Sequence, residues 1–228
     1  MNEQYEIKKY VDDILNGKST KFLDGKMQKE VSKRLKKKDY MIYKPYKDAE
    51  KVIFYREKPK VILFEILCKQ ELKHSDILGS LFALGIDSSL FGDILIVNGH
   101  YYIYVLETMK DFFQFHFTMV GKYSITLEEK ELSILEDYER TYEEIELLVS
   151  SERMDTVLSR LLNMNRNQIK EKMKQKEILF NYEWINQPSK ILQEGDIFSI
   201  RRYGKYKYKG IIGTTKKGNF VVKCLKYQ

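Results

Sequence analysis

Apolar residues in this chain come in short runs that charge soon interrupts. Runs such as Val61 to Phe64 fall far short of the roughly 18 to 20 consecutive apolar residues that a membrane span needs. Short helices and strands are therefore the units available to it. Its 228 residues are enough, at roughly 100 to 200 residues per domain, for one large domain or two to three small ones. A 43% hydrophobic content with 13% aromatics can fill such cores, so wholesale disorder is excluded. The first ten residues are polar, with Glu3 and Glu6 ahead of Lys8 and Lys9, where a secretory signal would be basic and then apolar, which predicts a cytoplasmic protein. Cys68 and Cys224 have no CxxC partner and share no ligand spacing with His74, His100 or His116, so no metal and no cofactor is expected.

The first segment, residues 1–67, opens with Tyr5, Ile7, Val11, Ile14 and Leu15 at helical spacing, ending at Asn16-Gly17. A second helix is predicted to start at Ser19 or Thr20 and to carry Phe22, Leu23, Met27, Val31 and Leu35 before the basic end Lys36 to Lys38. Strands are predicted over Lys51–Tyr55 and Val61–Ile66, separated by Glu57-Lys58-Pro59.

In the second segment, residues 68–148, Leu72, Ile77, Leu78, Leu81, Phe82 and Leu84 fit a buried helix with Ser75 as cap and Gly85 as stop. Two strands, Ile94–Val97 and Tyr101–Leu106, are joined at Asn98-Gly99, a strong short-hairpin signal. Leu106 to Val120 is read as a helix ending at Gly121. Helix, paired strands and helix in this order suggest an α+β sandwich of the ferredoxin or RNA-recognition type. His74 and Asp76 suit a helix entry better than acid–base chemistry, because no nucleophile or second carboxylate pairs with them. The chain has no Walker loop, no GxSxG and no dinucleotide fingerprint.

The net charge of +7 is unevenly placed. Ser150 to Gln228 carries 17 Lys and Arg against 7 Asp and Glu, while the residues upstream carry 23 against 26. A positive excess confined to the last third is the electrostatic footprint expected for a polyanion partner. There, Met154, Val157, Leu158 and Leu161 mark a helix, and Asn165 caps a second one. Arg166, Lys170 and Lys174 recur every four residues along the second helix and share one face beside the buried stripe of Ile169 and Met173. Like charges at that spacing repel, and a bound anion would relieve them. Ile178 to Asn181 reads as a strand, Gln193 to Asp196 as a turn, and Arg201, Arg202, Lys205, Lys207 and Lys209 end in a strand interleaved with Tyr206 and Tyr208. Those tyrosines suit either stacking on unpaired bases or a protein core.

Arg153 and Asp155, Asn165-Arg166, the Ile178, Phe180 and Asn181 strand and the Gly195-Asp196-Ile197 turn together resemble the RNA-binding domain named after ribosomal protein S-four. The resemblance implies that the two helices and the adjoining turn grip structured RNA, and it carries that role to Arg153, Arg166, Lys170 and Lys174. Asn165 stands where the family has serine, a near-equivalent cap. Lys176-Glu177 stands where the family usually has Gly-Arg, which loses an easy left-handed turn residue and reverses one charge. Leu72 to Ile94 is similar to the middle domain of the YlmH family of bacterial proteins, and the order of parts fits that family along the chain.

The expected architecture is α+β in three small domains: residues 1–67 an N-terminal α/β domain, 68–148 an RNA-recognition-like domain, and 149–228 an S-four-type domain with a basic β-hairpin. The expected RNA-binding residues are Arg153, Asn165, Arg166, Lys170, Lys174, Asn181, Arg201, Arg202, Lys205 and Lys207. The resemblance implies a non-enzymatic partner of ribosomal RNA and tRNA on the large ribosomal subunit, acting in quality control of stalled nascent chains, with a link to cell division. No membrane and no small-molecule substrate is expected. Two other readings compete. The module is also appended to pseudouridine synthases and methyltransferases, although Met1 to Val149 shows no cofactor loop. The first two domains could also form a protein-binding platform through Phe115 or Lys36 to Lys38.

Overall fold

The computed structural model describes residues 3–181 and 183–227. The chain divides into two compact units, one up to Glu139 and one from Arg140 onward.

The first unit begins with helix α1 (Glu3–Leu15), whose Ile7, Tyr10 and Ile14 are buried. The second helix, α2, runs only over Gly25–Ser32, because Asp24 is its cap and accepts from the Met27 N–H at 2.8 Å. The start expected at Ser19 or Thr20 is thus corrected. Ser19 and Leu23 instead bridge in extended backbone to Tyr55 and Val52, and the Thr20 hydroxyl accepts from Phe54 N–H at 3.1 Å. Two short strands, β1 (Met41–Tyr43) and β2 (Ile53–Tyr55), pair antiparallel and close this part over Val31, Val52 and Phe54.

The rest of the unit follows the order β3 (Val61–Leu67), α3 (His74–Ala83), β4 (Phe91–Val97), β5 (His100–Leu106), α4 (Lys110–His116), then the two-residue strands β6 (Met119–Val120) and β7 (Tyr123–Ser124), and β8 (Thr126–Lys130). Strands β4, β5, β3 and β8 lie side by side in that order and pair antiparallel throughout, which is the split βαβ arrangement. Phe64 and Ile66 of β3 face a core with Ile77 and Leu81 of α3 and Phe113 of α4. Val61 and Leu63 point the other way and meet Phe22, Tyr46 and Leu135, so this sheet is buried on both faces over part of its length. The β4–β5 turn uses Asn98 at φ +51 and Gly99 at φ +82, the two left-handed positions a tight hairpin requires.

Three details differ from expectation. Helix α3 starts at His74 with Lys73 as its cap residue, so Ser75 lies inside the first turn. The helix expected over Leu106–Val120 is only the seven residues of α4, since Phe113 and Phe117 reach the core while Phe115 stays 76% exposed and the chain turns back at Gly121. The boundary placed after Leu67 does not separate two domains, because β3 is an inner strand of the sheet that follows.

The second unit opens with β9 (Tyr142–Val149), then α5 (Met154–Leu161), α6 (Arg166–Lys174), β10 (Ile178–Phe180), β11 (Glu183–Trp184), β12 (Ile197–Ile200), β13 (Gly204–Thr214) and β14 (Phe220–Tyr227). Its sheet runs β11-β10-β12-β13-β14-β9 with every neighbour antiparallel. Strand β9 pairs with β14 along its whole length, which moves the expected boundary at residue 149 upstream to Arg140. The pairing has an electrostatic logic: Lys223 and Lys226 of β14 bind Glu144 and Glu143 of β9 at 2.7 and 2.9 Å. Both helices cover one face of the sheet, burying Met154, Val157, Leu158, Ile169 and Met173 against Phe198, Tyr206, Tyr208 and Cys224. Burial of Cys224 pushes its thiol up to about 12, as expected for a core cysteine without chemistry.

Candidate nucleic-acid interface

The surface expected to meet RNA is built around a tight helix pair. Helix α5 ends in a left-handed residue, Asn163 at φ +51, with the Met164 N–H donating to Ser159 C=O at 2.9 Å and the Asn163 N–H to Arg160 C=O at 3.3 Å. These are the two bonds of a Schellman stop, and asparagine is one of the few non-glycine residues that accept its conformation. Helix α6 starts two residues later in a capping box: Asn165 Oδ1 accepts from Gln168 N–H, and Gln168 Oε1 accepts from Asn165 N–H, both at 2.9 Å. The turn is therefore fixed from both sides.

Asp155 is the centre of this surface. It is fully buried, and its carboxylate accepts from Arg153 Nε and Nη2 at 3.1 and 3.0 Å and from Arg166 Nε and Nη2 at 3.1 and 2.8 Å. Arg153 and Arg166 keep 37% and 50% of their side chains exposed. Burial pushes the Asp155 carboxyl up, but the hydrogen bonds from Arg153 and Arg166 outweigh it and hold the group below the usual carboxylate range. Two guanidiniums against one carboxylate leave one net positive charge, with three N–H groups on each arginine not used by Asp155. The cluster thus presents two oriented, outward-facing cations.

Lys170 lies one turn beyond Arg166 and forms no ion pair among the described residues. Lys174 binds Glu171 at 2.7 Å, which partly neutralises it. Arg201 and Arg202 sit in the exposed β12–β13 turn, and Arg201 N–H donates to Glu177 C=O at 2.9 Å, which brings that turn beside the end of α6. Glu177 binds Lys172 at 2.7 Å, and that bond, with Arg201 and Arg202 nearby, lowers its carboxyl. The charge reversal expected from Glu177 is therefore absorbed by Lys172. The left-handed turn is kept with lysine: Lys176 stands at φ +54.

Three expected contacts are placed otherwise. Both ends of the Asn181 amide are committed, Nδ2 donating to Asp196 and Oδ1 accepting from Ile197 N–H, each at 2.8 Å; this residue builds the turn. Lys205 and Lys207 lie on the sheet face opposite α5 and α6, because Tyr206 and Tyr208 between them point into the core those helices cover. The tyrosines are core residues with internal partners, Tyr208 Oη donating to Glu152 at 2.8 Å and Tyr206 Oη to Tyr203 C=O at 2.9 Å, and stacking on bases is not their role. Among the described residues, no three His, Cys, Asp or Glu side chains gather to hold a metal ion, and no helix is long and apolar enough to cross a membrane.

Sequence reasoning missed the clamping role of Asp155. Arg153 is the cap residue of α5 in extended backbone, so its approach to Asp155 follows no helical spacing, although the R-x-D pattern itself was the available signal.

Residues 59–134 match the family model described as "Putative RNA-binding domain in YlmH". Over 149 residues the chain is 31% identical to ribosome-associated protein quality control protein P2 of Bacillus subtilis (strain 168); the match takes in 65% of this chain and 58% of that protein, less than two thirds of its length. A solved structure titled cell division protein ylmH from Streptococcus pneumoniae is similar with a TM-score of 0.46 and 21% identity, covering 59% of this chain and 90% of that one.

Proposed function

We propose that the chain is a member of the YlmH family, which its similarities support, and that it is a non-catalytic RNA-binding protein that docks on structured ribosomal RNA or tRNA through the α5–α6 surface. The observation that carries this reading is the pair Arg153 and Arg166, held outward by the buried Asp155, with Lys170, which forms no ion pair among the described residues, one turn away. Preorganised guanidiniums suit phosphate, and folded RNA is met mostly through its backbone and shape. The relative named for ribosome-associated quality control supports placing the partner on the ribosome. Docking on the large subunit in the handling of stalled nascent chains, within the cytoplasm, is part of the proposal.

Charge assigns the work within the molecule. The segment 59–134 carries six lysines against ten acidic residues, whereas residues from Arg140 onward carry 18 basic against 10 acidic. Residues 1–58 carry 16 basic against 10 acidic, so attraction to the phosphate backbone comes from outside the 59–134 segment, most strongly from the second unit.

Crosslinking the protein to RNA in cells and sequencing the bound fragments tests the proposal. Fragments of large-subunit RNA together with tRNA are expected. Scattered fragments, or none, would overturn it.

A further inference from the structure

Beside the arginine pair, the second unit holds a cleft of about 470 Å³ between the α5–α6 turn, the end of β9 and the tip of the β13–β14 hairpin. A single nucleotide fits this volume; an inorganic anion would leave it mostly empty. The lining is of three chemical kinds. Arg160 and Arg166 supply guanidiniums, Asn163 and Asn219 supply amides, and Leu148 and Met164 supply apolar surface. No carboxylate lines it among the described residues, and Arg160 forms no ion pair among them.

The walls are stiff where it matters. Arg160 and Asn163 belong to the Schellman stop of α5, and Arg166 is both the first residue of α6 and bound to Asp155. At the hairpin tip, Asn219 engages Thr215 through its backbone: its N–H donates to Thr215 Oγ1 at 3.1 Å and its carbonyl accepts from the Thr215 N–H at 2.8 Å. Its amide side chain is not needed for that turn.

We infer that this cleft receives one nucleotide unstacked from the RNA, the phosphate on Arg160 and Arg166, the base edge on the Asn163 and Asn219 amides and the base face against Leu148 and Met164. Amides both donate and accept, so they can read a base edge, which is displayed only where the nucleotide leaves the helix. A lone phosphate contact would use neither the amides nor the apolar wall. The inference rests on the RNA-binding reading above and adds to it a requirement for an unpaired residue in the target.

The test uses the full chain and two fluorescent RNA hairpins identical except for one bulged adenosine. Tighter binding of the bulged hairpin by about tenfold is expected, falling to about twofold or less in Asn219→Ala and Arg160→Ala while affinity for the paired hairpin changes by no more than about threefold. Arg160→Lys, which keeps the charge, should lose part of the preference and none of the paired-hairpin affinity. Equal binding of both hairpins by the unaltered protein, or a preference untouched by these substitutions, overturns the inference and leaves the RNA-binding reading standing. Binding of neither hairpin removes that reading itself.

Discussion

Arg166 of α6 donates through Nε and Nη2 to a single oxygen of Asp155 on α5, at 3.1 and 2.8 Å. This bond ties the two helices together and also aims the guanidinium. Asp155→Asn removes a negative charge from a cationic surface, so simple electrostatics expects tighter RNA binding. The opposite is expected here: two arginines would have to be ordered on binding at about 0.5 to 1.5 kcal/mol each, together about 1 to 3 kcal/mol, weakening affinity by about five- to a hundredfold. Fluorescence anisotropy against one RNA at fixed salt decides between them, and tighter binding by the variant would show that orientation does not matter.

Acid should reveal the same bond. The Asp155 carboxyl titrates lower in the folded protein than in the unfolded chain, since the arginine hydrogen bonds outweigh the penalty of burial. Its contribution is therefore complete above the unfolded value of about 3.9 and is lost as pH falls through the folded one. Other carboxyls are lowered too, among them Glu65 and Glu177, so the comparison has to be between wild type and Asp155→Asn. Urea unfolding should show wild type more stable by about 1 to 3 kcal/mol near neutral pH, the gap closing toward about pH 2. A gap independent of pH would assign it to packing instead.

Local chemistry was the part of this fold most readable from sequence. Asn165 as a helix cap, Asn98-Gly99 and the Gly195-Asp196 turn act within three residues of themselves, and each does what its side-chain chemistry dictates. Placement set by distant chain was not readable. Residues 19–23 have helical spacing but are held extended by a strand some thirty residues on, and β9 finds its partner β14 near the other end of the unit. Alternation separated Tyr206 and Tyr208 from Lys205 and Lys207, yet only the helices packed on one side decide which set is core. Of the expected site, the Arg166 and Lys170 face is one surface, while Lys205 and Lys207 fall on the other side of the sheet.

Lys176 pays for its position in backbone strain. It occupies the left-handed end of α6 at φ +54, with the Glu177 N–H donating to Lys172 C=O at 2.9 Å and the Lys176 N–H to Met173 C=O at 3.1 Å. A residue with a Cβ loses about 1 to 2 kcal/mol there, and glycine returns about 0.4 to 1 of that through a freer unfolded chain. Lys176→Gly should therefore stabilise the protein by about 0.5 to 1 kcal/mol in urea unfolding. Destabilisation would mean that the lysine side chain makes a contact worth more than the strain.

Salt dependence of RNA binding separates the lysines by their partners. Removing one cation that neutralises a phosphate lowers the slope of log affinity against log salt by about 0.7 to 0.9. Lys170 forms no ion pair among the described residues, so Lys170→Ala should lower the slope by the full amount. Lys174 already holds Glu171 at 2.7 Å; replacing it also frees a carboxylate, so its affinity loss should exceed its change in slope. Lys207 lies on the sheet face away from α5 and α6, and Lys207→Ala should leave the slope unchanged. Titrating the three variants against one RNA over a series of potassium chloride concentrations measures all of this. A Lys207→Ala slope reduced as much as that of Lys170→Ala would move the interface to the opposite face of the sheet.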